Sequence, residues 1–539
     1  MVLGCGGRCA TLARFTLTLI LAACFGGCST LPPGANFPKT ASVALPHPEE
    51  TSLGRQFESA AIEHGGNSGL RIITLGVDGF LTRMQMIGAA ERTLDLQYFI
   101  FRGDETGRLL TLSLLRAADR GVRVRVLIDD GATVAGDEQI NALHAYPGVQ
   151  IRVFNPFAYR GHNKLLRGIE FLFNASRLDY RMHNKLLVAD NSVALIGGRN
   201  VGNQYFQVDP ESQFADDDVF VAGPLAGKLS ATFDEYWNSG LAIPAEALAA
   251  GKGDRASPGR QQAGAENQLQ QLQSGGVDYV ARIASGEPYA GMISGRLPLV
   301  WAQAQVVCDS PDKKQVENGT SAGRLMNRPV ADAARAVQSE LLMVTPYFVP
   351  VEEEQQLLQG LRQRKVRVRI LSNSLESNPD PVAQSGYRRF RAPLLKDGVE
   401  LHEIRSLLGN VRGSGETARL SRYGNYALHA KLFVFDRRKL FIGSMNFDQR
   451  SFRLNTEVGL IIDSESLAQQ SAQRFEAMIR PENSYALALR PAETGISTHL
   501  VWITKTDGKT VEIAREPARN EWQRMKVKLL SLLPLDREL

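Results

Sequence analysis

Cysteine is scarce in this chain of 539 residues. There are five, and four of them, Cys5, Cys9, Cys24 and Cys28, crowd the N-terminus. Cys308 then has no obvious partner, so no disulfide framework is implied. Long apolar runs are scarce too. Phe15–Ala23 is too short to span a bilayer. Aromatic residues make up only 7% of the chain, and 62 basic residues against 57 acidic ones leave a net charge of +5. A nucleic-acid enzyme should show a long basic groove interleaved with aromatic rings, and neither is prominent here. No His, Cys or carboxylate cluster has metal-ligand spacing, so no metal site is expected. What remains is ordinary for a globular protein: 43% hydrophobic residues, and enough length for two cores.

The N-terminus reads as a targeting segment. Arg8 and Arg14 precede the apolar run, which leads into Leu-Ala-Ala-Cys24 and then Phe-Gly-Gly-Cys28. Both tetrapeptides resemble the bacterial lipoprotein cleavage signature, which makes Cys24 or Cys28 the lipidated residue. Residues 1–28 are therefore expected to be a lipoprotein-type signal peptide, and acyl chains would anchor the body to a membrane. Ser29–Glu50 carries Pro32, Pro33, Pro38, Pro46 and Pro48, so residues 29–65 read as an extended tether. Residues 251–290 open on a Gly-, Gln- and Ala-rich stretch and read as a linker or insertion. That leaves 66–250 and 291–483 as two halves and 484–539 as a C-terminal extension. Within the extension, Leu529–Leu535 is an apolar stretch that suits docking on the body better than on a membrane.

The string His-x-Lys-x-x-x-x-Asp occurs twice, as His183, Lys185, Asp190 and as His429, Lys431, Asp436. The His-to-Asp offset is 190 − 183 = 436 − 429 = 7 in both copies. Asn200 and Asn446 follow at matched offsets of 200 − 183 = 446 − 429 = 17, after Gly197-Gly198 and Gly443-Ser444 respectively. Matched offsets with similar flanks indicate an internal duplication. The repeat extends upstream, where Thr93–Phe101 and Gly121–Asp130 parallel Glu340–Phe348 and Lys365–Ser374. Apolar strands alternate with helically spaced segments, which argues for α/β units with a largely parallel or mixed sheet.

Residues i and i+2 of a strand share a face, so each His projects beside its Lys. Two groups that both favour the cationic form make a poor metal site and a good phosphate site. Lysine supplies fixed charge, and histidine supplies a nucleophile or a proton. Asn200, Ser444 and Asn446 can donate hydrogen bonds to phosphate oxygens. Asp190 and Asp436 fall in turns beyond the strands and orient the motif rather than attack. Upstream, Arg160–Lys185 holds six basic residues against Glu170 and Asp179, a net of 6 − 2 = +4. This excess suits an anionic headgroup or a nucleic-acid backbone, or is simply a solvated basic face.

These motifs resemble the phospholipase D superfamily, and within it the C-type bacterial cardiolipin synthases. The Gly-Gly-Arg-Asn run, Gly-Ser-Met-Asn-Phe-Asp-Gln-Arg-Ser and the Val306–Lys313 segment carry the closer likeness. The resemblance implies two pseudo-symmetric α-β-α sandwich halves with one composite site at their interface. One His attacks phosphorus to form a phosphohistidine, and the other moves the proton. It suggests His183 as nucleophile and His429 as acid/base, an assignment that near-symmetry leaves reversible. It also implies that an acid before a β-branched run hydrogen-bonds each His, with Glu457 and Asp218 in corresponding positions. No cofactor is implied. The expected activity is phosphatidyl transfer giving cardiolipin. Substrates would be phosphatidylglycerol, phosphatidylethanolamine or cardiolipin-type lipids at a membrane surface, with no nucleic acid. The expected place is the bacterial envelope, anchored and facing the periplasm. A hydrolytic phospholipase D or a nucleic-acid phosphodiesterase is the alternative. Two intact motifs disfavour a non-catalytic lipid-binding protein.

Overall fold

The computed structural model describes residues 32–131, 140, 143–161, 163–209, 213–249, 298–408, 426–491 and 498–532. The signal peptide with Cys24 and Cys28, and the linker at 251–290, lie outside the described residues.

The first half contains β1 (Ser68–Ile73), β2 (Thr93–Tyr98), β3 (Arg123–Asp129), β4 (Val149–Phe154), β5 (Lys185–Ala189), β6 (Val193–Gly197), β7 (Gln213–Ala215), β8 (Asp218–Ala222) and β9 (Ala242–Pro244). Its main sheet runs β9-β4-β3-β2-β5-β6-β8-β1, with β2, β3 and β4 mutually parallel. The second half contains β10 (Val300–Cys308), β11 (Glu340–Val344), β12 (Phe348–Val349), β13 (Arg367–Asn373), β14 (Glu400–Ile404), β15 (Tyr426–Leu428), β16 (Leu432–Phe435), β17 (Lys439–Gly443), β18 (Phe447–Asp448), β19 (Val458–Asp463), β20 (Ser484–Pro491), β21 (Thr498–Thr506) and β22 (Lys509–Ile513). Its sheet runs β22-β21-β20-β14-β13-β11-β16-β17-β19-β10. The two orders superimpose: β2, β3, β4 match β11, β13, β14, and β5, β6, β8 match β16, β17, β19. Antiparallel pairing of β1 with β10 joins the halves.

Strand parity explains the layers. Leu186 and Val188 of β5 belong to a core shared with Leu432 and Val434 of β16, while Leu187 and Ala189 point into the first half's outer core. Phe433 and Phe435 do the same in the second half. Helices Pro224–Asn238 and Glu465–Met478 add Phe233, Trp237 and Phe475 to the shared core. Gly76–Ala89 and Glu105–Asp119 cover the outer face of the first sheet, and Glu352–Gln363 and Pro381–Lys396 that of the second. Each buried Leu, Val or Phe contributes about 1.5–3 kcal/mol, so a core built from both halves resists their separation.

Residues 32–65 are not a free extended tether. A short 3-10 helix, Pro48–Glu50, leads into the helix Ser52–Glu63, which buries Leu53 and Phe57 in the first half's core. The proline-bearing stretch before them is fastened to that half. Lys39 Nζ donates to the Ser239 and Ala242 carbonyls at 2.6 and 3.1 Å, and Arg152 and Arg125 donate to the carbonyls of Thr40 and Ser42 at 2.8 and 2.9 Å. At the other end, β20 pairs with β14 as β9 pairs with β4, so the second sheet continues past residue 483. The helix Glu521–Leu530 follows. It buries Val527 but leaves Leu529 and Leu532 exposed, so these two leucines do not dock on the body.

Candidate active site

Each motif lies where a strand of one half meets a loop of the other. β7 pairs in parallel with β15, and His429 N donates to the Ala215 carbonyl at 2.7 Å. The counterpart contact is a parallel bridge between Met182 and Thr456, with His183 N donating to the Thr456 carbonyl at 2.9 Å. These contacts bring one carboxylate from each half to the other half's histidine. His183 Nδ1 lies 2.9 and 3.1 Å from the Glu457 oxygens, and His429 Nδ1 lies 2.5 Å from Asp216 Oδ2. Both imidazoles are only 7% exposed.

Asp216, not Asp218, is the partner of His429. Asp218 is turned away, paired with Arg83 at 2.9 Å and with Arg199 at 3.2 Å. The register gives the reason. Gly197 faces Asp218 across the sheet as Gly443 faces Gly459, so the residue matching Glu457 lies two before Asp218. Asp218 acts one step further back. The guanidinium of Arg199 that it pairs with donates to the Asp216, Thr74 and Ile73 carbonyls.

Asp190 accepts from the backbone N–H groups of Glu91, Arg92 and Thr93 at 2.8–2.9 Å. Asp436 does the same for Gln338, Ser339 and Glu340 at 2.7–2.9 Å. Both sit at φ 51°, in the turn that ends the motif strand. They tie the motif to the start of the neighbouring antiparallel strand, Asp190 to β2 and Asp436 to β11. Lys185 and Lys431 are buried, and each donates to the carbonyl of its own histidine.

The three residues expected to bind phosphate differ in what they have free. Ser444 directs its one proton at Glu457, 2.5 Å away. Asn200 accepts from Ile100 N and donates to the Tyr205 hydroxyl, each at 3.1 Å. Among the described residues the buried Oδ1 of Asn446 has no hydrogen-bond partner, which leaves an acceptor, not a donor, unsatisfied there. Gly198 lacks the Ser444 hydroxyl for a steric reason. A Cβ there would lie 2.0 Å from Asp216 Oδ1.

Several contributing residues were not singled out from sequence. Phe99 meets His183 edge-on at 4.9 Å, and Phe214 stacks on His429 at 5.3 Å with Tyr205 edge-on at 5.2 Å. Behind Glu457, the Val306–Lys313 segment supplies a clamp. Asp309 accepts from Glu457 N at 2.9 Å, and Lys313 Nζ bonds Asp309, the Ser451 carbonyl and the Asn455 carbonyl at 2.7–3.1 Å. The signal for Asp216 was available. Phe-Ala-Asp before β8 matches Asn-Thr-Glu before β19.

Burial first, and then the lysine charges, hold both imidazoles neutral: His429 is pushed down to about 3, and His183 moves in the same direction. Each lysine's charge reaches the other half's histidine, which places all four groups in one electrostatic site. Burial also lowers Lys431 to about 8 and depresses Lys185. The two carboxyls diverge. Burial raises Glu457 to about 7, whereas for Asp216 burial is outweighed by His429, Lys431 and Arg199, and its pKa falls below the ordinary value. Among the described residues, no group of three or more His, Cys, Asp or Glu is arranged to hold a metal ion.

Two His–Lys pairs facing one another across a duplicated α/β fold define the phospholipase D class. The comparisons narrow this. The family model described as "Cardiolipin synthase, PLD-like domain" matches residues 84–237 and 331–479. The chain is 35% identical to cardiolipin synthase C of Escherichia coli over 478 residues, 88% of this chain and 97% of that protein. It is 26% identical to the major cardiolipin synthase ClsA of Bacillus subtilis over 409 residues, 75% of this chain and 67% of that protein. The crystal structure of a Haemophilus influenzae phosphatidylserine synthase shares the fold, with a TM-score of 0.52 at 14% identity, covering 79% of this chain and 91% of that one. The chain belongs to the PLD-like family of the cardiolipin synthases.

The roles of the two aspartates separate experimentally. Asp216→Asn should lower turnover by about 10³-fold or more in protein that is still folded, because it removes the charge behind His429. Asp218→Asn should cost about 3 kcal/mol of stability, because it strands two buried guanidiniums. Thermal unfolding and steady-state rates on both variants test this. Full activity in Asp216→Asn would remove it from the site.

Proposed function

We propose that this chain is a phosphatidyltransferase that makes cardiolipin by moving a phosphatidyl group onto the hydroxyl of a phosphatidylglycerol-type acceptor. The observation that carries the reading is the crosswise holding of His183 by Glu457 and of His429 by Asp216. Three further points support it. Both Nδ1 atoms are taken by carboxylates, which leaves each Nε2 for chemistry. Buried ammonium groups flank both rings. The named relatives are cardiolipin synthases.

In the proposed sequence, His183 Nε2 attacks phosphorus. The P–O bond to the leaving alkoxide breaks, and that oxygen takes the proton of His429 Nε2. His429 then accepts the proton of the incoming hydroxyl, whose oxygen attacks phosphorus and breaks the P–N bond. Lys185 and Lys431 carry the phosphate charge, assisted by the Asn446 and Asn200 amides. Ser444 serves by holding Glu457. The carboxyls support this assignment. Asp216, held ionised, suits the ring that must become a cation, and Glu457, pushed toward the neutral acid, suits the ring that stays neutral until it attacks. The phosphodiester's own charge offsets the lysine field and lets His429 take up its proton.

The decisive experiment is lipid profiling of cells overproducing the protein beside a His429→Ala control. Cardiolipin should rise only with the intact protein. Phosphatidic acid rising instead would favour hydrolysis. On an activated phosphodiester with a good leaving group, His429→Ala should accumulate phosphorylated enzyme and His183→Ala should not. Labelling confined to His183→Ala would reverse the two roles.

Lys431 sets an alkaline limit. With its pKa lowered to about 8, it loses the charge that holds phosphate as pH rises through that value, so kcat/KM should fall above about pH 8. Lys431→Arg keeps the charge and should move that limb upward. An unmoved limb would assign it to another group.

The N-terminal segment fits an acyl anchor at Cys24 or Cys28 that holds the body at the envelope membrane, facing the periplasm. No helix among the described residues is long and apolar enough to cross a membrane. The Cys24→Ala/Cys28→Ala variant should move from the detergent phase to the aqueous phase on phase separation. Unchanged partitioning would rule the anchor out.

A further inference from the structure

The helix Lys164–Leu178 is folded inside-out. Leu165, Leu166, Ile169, Leu172 and Phe173 are all exposed, with Leu165, Leu172 and Phe173 at 71%, 77% and 63%, and Leu178 is the one buried residue. At 3.6 residues per turn these five side chains fall within about 120° of arc. The polar side of the helix is the one fastened to the body. Arg167 pairs with Asp130 at 3.3 Å, and Glu170 accepts from the N–H groups of Ala158 and Tyr159 at 2.6 and 2.7 Å. Arg177 donates to Asn155 Oδ1 and the Pro156 carbonyl at 2.7 and 2.8 Å. A surface helix in water ordinarily does the reverse, packing its apolar stripe on the core.

We propose that this helix is the element by which the enzyme docks on a phospholipid bilayer, with its apolar stripe sunk into the headgroup–acyl boundary beside the site. The inference rests on the phosphatidyltransferase reading and names the surface that serves it. Two observations, and one requirement of the proposed reaction, commit the stripe to a bilayer. The chain runs from the buried end of this helix to His183 in 183 − 178 = 5 residues, so the two are at most about 18 Å apart. A phospholipid whose phosphate reaches His183 must keep its acyl chains in an apolar medium nearby. Lys164 at one end of the helix is exposed, and Lys314, bonded to the Ser176 carbonyl, stands at the other. Ammonium groups flanking an apolar stripe are the pattern of an interfacial helix on anionic lipid.

The test uses full-length protein carrying Cys24→Ala and Cys28→Ala, so that no acyl anchor contributes, with and without Leu172→Asp/Phe173→Asp. The probes are sedimentation with phosphatidylglycerol/phosphatidylethanolamine vesicles, turnover on those vesicles, and turnover on a monomeric short-chain phospholipid. Vesicle binding and vesicle turnover should fall about tenfold or more, while short-chain turnover stays within about twofold. Unchanged vesicle binding would overturn the proposal. So would an equal loss on the short-chain substrate, which would place the helix in the chemistry. Conversion of a dimer to a monomer with vesicle binding intact would make the stripe a contact between copies and also overturn it. Helix-dependent binding without any cardiolipin product would leave the docking standing and refute the transferase reading alone.

Discussion

The site depends on an exchange. Each histidine is carried by one half of the duplicated fold and held by a carboxylate of the other, His183 by Glu457 and His429 by Asp216. The exchange extends to the backbone, since each histidine's N–H donates to a carbonyl one residue before the acid that holds its ring. Ring orientation and half-to-half register are therefore a single constraint. Neither half alone contains a motif histidine together with the carboxylate that holds it, and the shared apolar core is what keeps the two exchanged pairs in place.

Gathering this much charge away from water is costly. Two lysines, two histidines and two carboxylates are all buried here, and an isolated buried ion would neutralise instead. The arrangement makes that tendency useful. Burial and the ammonium groups keep the imidazoles neutral, as a nucleophile requires. In the proposed mechanism the ammonium groups attract an anion that in turn restores basicity to the ring assigned to carry the proton. Behind this layer lies a second one of opposite design. Arg83–Asp218–Arg199 and Lys313–Asp309 are pairs that touch no reacting ring and fix the backbone on which Asp216 and Glu457 ride.

Much of this was legible in the sequence. The repeated spacing located both histidines, both lysines and both turn aspartates, because their geometry is local: i and i+2 along one strand, then a turn. The layered α/β halves followed from the alternation of strand and helix patterns. Positions that depend on cross-strand register were harder to read. Three consecutive aspartates, 216 to 218, each fit an "acid before a strand", and the pairing of Gly197 with Asp218 is what aligns Asp216 rather than Asp218 with Glu457. The Ser444 hydroxyl read as a phosphate donor because Glu457's approach from the far strand has no local signature. The Val306–Lys313 segment stood out as a family mark, but its task is a long-range clamp, invisible without the fold.

The duplicated halves have also diverged around their two motif histidines. In the second half a serine faces a glutamate, and the hydroxyls of Ser444 and Ser451 surround it at 2.5 and 2.7 Å. In the first half the serine position is glycine, the acid is one methylene shorter, and a side chain at Gly198 would overlap that acid. Serine–glutamate and glycine–aspartate are thus two matched solutions of one packing problem, and mixing them across the halves would leave either a clash or a gap. They leave the two carboxyls shifted in opposite directions, with Glu457 raised and Asp216 lowered. A pseudo-symmetric frame with identical His–Lys spacing thus gives its two rings different surroundings, which is what the proposed division of labour between nucleophile and proton carrier requires.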